Sequence, residues 1–121
     1  MEESILTSIK KLLGIGEDYT HFDVDIITHI NAVLMVLTQL GVGPSEGFII
    51  TGANETWADF IPKEDQQKLY ASVISYVHHR VRLLFDPPQN SALIESMNRI
   101  IGEYEWRLMV AAESIVKEGS G

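Results

Sequence analysis

The sequence predicts an all-α fold: a small bundle of about four helices with one long irregular loop over residues 42–61. Three observations carry this. Apolar residues recur at spacings of three and four in four separate segments. Glycine and proline mark the boundaries of those segments, at Gly14, Gly41, Gly43-Pro44, Pro62 and Pro87-Pro88. Strand-like composition is confined to one short stretch, Phe48-Ile49-Ile50-Thr51.

The first helix is expected over roughly residues 3–13. Ile5, Leu6, Ile9, Leu12 and Leu13 form its apolar stripe, and Gly14 stands where a C-terminal glycine cap belongs. After the polar turn Gly16-Glu17-Asp18, Asp23 and Asp25 open a second helix, where early acids complement the positive end of the helix dipole. Ile26, Ile27, Ile30, Val33, Leu34 and Leu37 form its stripe, and Gly41 stops it. Within the loop, Phe48–Thr51 followed by the turn Gly52-Ala53-Asn54 would make a small hairpin. Thr56 with Asp59 three residues on has capping-box spacing, which predicts a single helical turn through Ile61.

Pro62, followed by Glu64 and Asp65, suits the first turn of a third helix running to about Phe85. Leu69, Val73, Tyr76, Val77, Val81 and Leu84 give it a broad apolar face, and Asp86-Pro87-Pro88 ends it because the residue before proline is pushed out of the α region. Asn90 or Ser91 caps a fourth helix with the stripe Leu93, Met97, Ile100, Tyr104, Leu108, Ala111 and Ile115. Residues 1–116 read as one domain and 117–121 as a flexible tail.

Composition narrows the function. The chain has 121 residues, 45% of them hydrophobic, with 9 Lys+Arg against 17 Asp+Glu for a net charge of −8. With no cysteine it has no disulfides, thiolate metal sites or thiol nucleophile. The longest apolar run, Ala32–Leu37, is far short of the ~20 residues a membrane span needs. Met1-Glu2-Glu3 is acidic where a secretory leader is basic, so an intracellular, soluble domain is expected, without membrane contact. The acidic balance also opposes adhesion to nucleic-acid backbones. The charge is uneven: between Lys11 and Lys63 there is no Lys or Arg, and seven acids lie in that stretch.

No constellation of catalytic residues emerges. His78 and His79 are adjacent and point about 100° apart on a helix, so they cannot share a metal ion. Asp25 and His29 have i,i+4 spacing, read here as a surface ion pair. Asp23/Asp25 and Glu103/Glu105 are two apart and face different ways, so neither is an acid/base couple. No nucleophile elbow or phosphate-cradling glycine loop is present. The expectation is a protein that is not an enzyme, with no cofactor, metal or catalytic residue.

Contact residues are better signalled. Trp57 and Phe60 either plug the open end of the bundle or anchor a partner. Trp106 lies off the fourth helix's stripe, on a face with Glu95, Arg99, Gly102, Val110 and Glu113, and reads as a subunit contact or a second core layer. The four arginines, Arg80, Arg82, Arg99 and Arg107, gather on the last two helices; with the acidic stretch they polarise the chain, as a head-to-tail ring would require. A non-viral acidic helical interaction module is the alternative.

Several segments resemble a known family: Ser4–Gly14, Asp25-Ile26-Ile27, Gln39–Pro44, Trp57-x-Asp59-Phe60, Ile94–Arg99 and Glu105–Leu108. The block Val81-Arg82-Leu83-Leu84-Phe85-Asp86-Pro87-Pro88 is the most distinctive. Over roughly residues 4–113 the chain is similar to the head–tail connector (adaptor) proteins of tailed phages that infect Gram-positive bacteria. The resemblance implies a virion protein at the head–tail junction, made in the bacterial host cytoplasm. It implies a ring of copies with the portal's twelvefold symmetry, joined to the portal protein and to a stopper or tail protein, with DNA passing through. The resemblance also implies portal docking by the end of the fourth helix, here Glu113 to Lys117 and Glu118.

Overall fold

A computed structural model describes residues 3–62 and 64–120; the side chains of residue 65 and of 116–120 are outside that description. Among the described residues five α-helices and one 3₁₀ turn make up the regular structure: α1 Ile5–Leu12, α2 Asp23–Gln39, α3 Trp57–Phe60, the 3₁₀ turn Glu64–Leu69, α4 Tyr70–Phe85 and α5 Ser91–Ser120. The fold is the expected small all-α bundle.

The helix ends follow from the capping residues. Ser4 accepts the Thr7 N–H at 3.2 Å to start α1. Both α1 and α2 end in paired carbonyl-capping bonds around a glycine. Gly14 and Ile15 donate to the Lys11 and Lys10 carbonyls, and Gly41 and Val42 to those of Thr38 and Leu37. Gly41 supports this with a φ of 94°. Asn90 is the cap of α5, its Oδ1 accepting the N–H groups of Ala92 and Leu93. The Thr56–Asp59 capping box is present in both directions and starts α3.

α4 is the central element, packed by α2 and α5 and touched by α1 and the 3₁₀ turn. Ile26, Ile30, Val33, Leu34 and Leu37 of α2 meet Val73, Tyr76, Val77 and Val81 of α4 in a core with no solvent exposure. Ile5 and Ile9 of α1 close one end of it. On α5 the buried positions are Met97, Ile101, Leu108, Ala112 and Ile115. The expected stripe is therefore rotated: Leu93 and Ile100 are exposed, and Ile101 and Ala112 take the places assigned to Ile100 and Ala111. Leu84, expected on the α4 core face, is likewise exposed.

Two other expectations are corrected. The third helix does not begin at Pro62; a 3₁₀ turn occupies Glu64–Leu69 because Gln66 is held sideways, its amide joining the Gly41 carbonyl and the Gly43 N–H, both at 3.3 Å. No strand forms among the described residues, so the hairpin at 48–54 is absent. A side-chain amide replaces the missing strand partner: Asn31 of α2 accepts the Ile50 N–H at 2.8 Å and donates to the Ile50 carbonyl at 3.0 Å. Ile50 can then be buried with both backbone groups satisfied.

The long loop is thus pinned at several points. Glu55 accepts from the Thr51 hydroxyl and N–H and from the Gly52 N–H. Burial pushes its carboxyl up, but these hydrogen bonds outweigh that and hold it below the usual glutamate range. Ile5 N–H donates to the Glu55 carbonyl and Trp57 N–H to that of Glu3, so the start of α1 and the start of α3 are tied together. Gly43, at φ 82°, lies against the Phe60 ring so closely that a Cβ there would meet Phe60 Cε1 at 2.5 Å.

Candidate interaction surfaces

The expected contact residues fall into three physical situations. Trp57 and Phe60 are fully buried, the arrangement expected of residues that plug the end of the bundle, the first of the two readings given for them. The Trp57 indole N–H donates to Ser8 Oγ at 2.8 Å, Ser8 in turn donates to the Ile5 carbonyl, and Phe60 packs on Phe48. They close the bundle end, because a Trp with its one donor satisfied loses nothing by full burial.

Arg80 and Arg82 are half-buried and engaged within the chain. Arg80 approaches Glu105 of α5 at 3.4 Å, and the same carboxylate oxygen accepts the Tyr76 hydroxyl at 2.7 Å. Burial, reinforced by that hydrogen bond, pushes the Tyr76 phenol well above its ordinary value. The trio joins α4 to α5. Arg82 Nε donates to the Asp86 carbonyl at 3.1 Å and so caps the end of α4.

Arg99, Trp106, Arg107 and Glu113 stand on the outside of α5. Trp106 is 64% exposed. Arg99, Arg107 and Glu113 are exposed too, Arg107 lying 4.0 Å from Glu103. Arg99 forms no ion pair among the described residues. The Lys117 side chain lies outside the described residues. Gly102, one turn before Trp106, has nothing within 4 Å of where a Cβ would be. The indole therefore borders a shallow hollow lined by Gly102, Glu103, Trp106 and Arg107.

A second exposed face, on α2, was not singled out by the sequence. Val24 is 77% and Met35 49% exposed, with Thr28, Ala32 and Gln39 on the same side. The available signal was their position off the Ile26–Ile30–Val33–Leu37 line. A third patch joins the α1–α2 loop to the end of α4: Tyr19, His21, Phe22 and Phe85 form a chain of tilted and edge-on aromatic contacts beside a hollow that Leu13 and Ile15 also line.

Among the described residues the acidic stretch has one internal counter-ion. Lys10, only 3% exposed, places its Nζ 2.9 Å from Asp23 Oδ1, an attraction between charges without an aligned hydrogen bond. It also donates to the Glu17 carbonyl. The expected Asp25–His29 ion pair does not form. Among the described residues no three His, Asp or Glu side chains are grouped so as to hold a metal ion, and no helix is long and apolar enough to cross a membrane.

No curated protein and no solved structure matches the chain significantly. A family of phage connector proteins does match, over residues 5–114, which spans α1 through most of α5. With its helical bundle and its outward-facing α5 surface, the chain belongs to the phage connector protein family, whose general role is head–tail connection in the virion.

Proposed function

We propose that this chain is a structural subunit of a connector ring of the Gram-positive siphophage type, seated below the portal protein and joined to a stopper or tail protein. Its part is mechanical and not catalytic. Trp106 is the observation that carries the reading. A large aromatic side chain held in water on a helix whose opposite side is already packed is well suited to a further contact, since buried Trp is among the strongest interface anchors. The surface suits a DNA conduit as well. From 12 to 62 it offers acids and no Lys or Arg, so phosphates slide past without being trapped. By the family likeness, the far end of α5, with Glu113 and Lys117, docks on the portal.

Mass measurement in solution, with and without the portal protein of its own phage, tests this. The expected result is a closed ring, dodecameric on the portal, with micrographs showing a central channel. Trp106→Ala is expected to keep full helicity and to weaken ring formation by about tenfold or more, equivalent to at least ~1.4 kcal/mol per contact. A strictly monomeric protein under both conditions overturns the reading.

A further inference from the structure

We propose that the Trp106 face of α5 packs head-to-tail on the outer face of α2 in a second copy of this chain. The inference rests on the ring reading above and specifies which surfaces meet. α2 and α5 both pack on α4 with their outer faces turned away from it, so each copy presents two different unpartnered helix faces. A contact between unlike faces leaves one of each free at the ends of any pair; it is heterologous and propagates until it closes. A contact of α5 with α5 would end at two copies and leave Val24 and Met35 in water.

The side-chain sizes on the two faces suit one another. On α2, Thr28 and Ala32 are small side chains between the exposed Val24 and Met35. The Thr28 hydroxyl folds back onto the Val24 carbonyl at 2.9 Å and asks nothing of a partner. This is a shallow seat for an indole. On α5, Gly102 leaves a hollow beside Trp106 that takes a side chain such as Met35. The α5 face is mixed in charge, with Glu95, Glu103 and Glu113 exposed on it, and one pair across the contact is complementary. The exposed acid bordering the α2 seat is Asp25, without an ion partner among the described residues, in a stretch that has no base. The nearest lysines in sequence have other partners, Lys10 buried against Asp23 and Lys11 3.5 Å from Glu3. Arg99, in line with Trp106 and equally unpaired, is the matching cation.

Because the chain has no cysteine, disulfide trapping reads the pairing directly. The variants are Met35→Cys, Val110→Cys and the two combined, oxidised mildly while mass measurement follows assembly alone and on the portal protein. The combined variant is expected to give a ladder of dimer, trimer and higher species. A mixture of the two single variants should stop at dimers, and each single variant alone should give almost none. Ala32→Trp, which fills the seat, should abolish assembly while helicity is retained. Rings by mass without a ladder would overturn this pairing and leave the ring reading standing. Efficient dimers from Val110→Cys alone would overturn it in favour of a self-facing contact. No oligomer with or without portal would remove both readings together.

Discussion

Removing the indole of Trp57 takes away a side chain with no solvent contact and leaves the buried Ser8 hydroxyl with only its bond to the Ile5 carbonyl, so Trp57→Ala is expected to cost about 3–5 kcal/mol. The same change at Trp106 removes a side chain that is 64% exposed and should stay within about 0.5 kcal/mol of the parent. Urea midpoints of the two variants check the contrast. Both residues read from sequence as contact candidates. Nothing local distinguishes a Trp that plugs its own bundle from one that waits for a neighbour, because the difference lies in what α1 and Ser8 bring from 49 residues away. His78 supplies a pH test. Burial lowers its basicity, the nearby His79 and Arg82 charges lower it further, and its buried Nε2 has no hydrogen-bond partner. Its folded pKa lies below the unfolded value, so in the interval between them the unfolded chain binds the extra proton. Stability is then full above pH ~6.5 and falls as the pH drops through the folded pKa. Unfolding midpoints measured down a pH series should show this loss, and His78→Gln should shrink it.

At the scale of elements, the loop 42–61 depends on side chains from the helices around it. Asn31 serves both backbone groups of the buried Ile50, so Asn31→Ala leaves a donor and an acceptor unmet and is expected to cost about 1–3 kcal/mol. The thermal midpoint should fall by roughly 4–8 °C per kcal/mol, near the lower figure for a chain of this size, and hydrogen exchange at the Ile50 amide should quicken more than at core amides of α4. Helix ends were legible because glycine after a stripe, Asn90 before one and the Thr56–Asp59 pair have local causes. The 3₁₀ turn was not, because Gln66 is diverted by Gly41 and Gly43, partners more than twenty residues away. The rotation of the α5 stripe has a similar origin. Leu93, Ile100 and Ile101 are equally apolar, and packing on α4 with the Tyr76–Glu105–Arg80 link chooses which of them turns inward.

For the whole molecule, the net charge of −8 is borne mostly at the surface, and only Asp23 among the acids of the 12–62 stretch has an ion partner among the described residues. Self-repulsion should therefore outweigh the few exposed ion pairs, and added sodium chloride should raise the thermal midpoint of the monomer. A midpoint that fell with salt would show that the pairs dominate. The sequence by itself determined the class of fold, the number and order of the long helices, the family and the unequal distribution of charge. These follow from periodicity, punctuation and composition, which are properties of neighbours along the chain. Tertiary structure alone decided that Trp57 and Phe60 belong to the core, that Asn31 and Gln66 hold the loop without a strand, and that Val24 and Met35 share an uncovered face. Burial is set by what the rest of the chain places opposite a residue, and no local spacing carries that information.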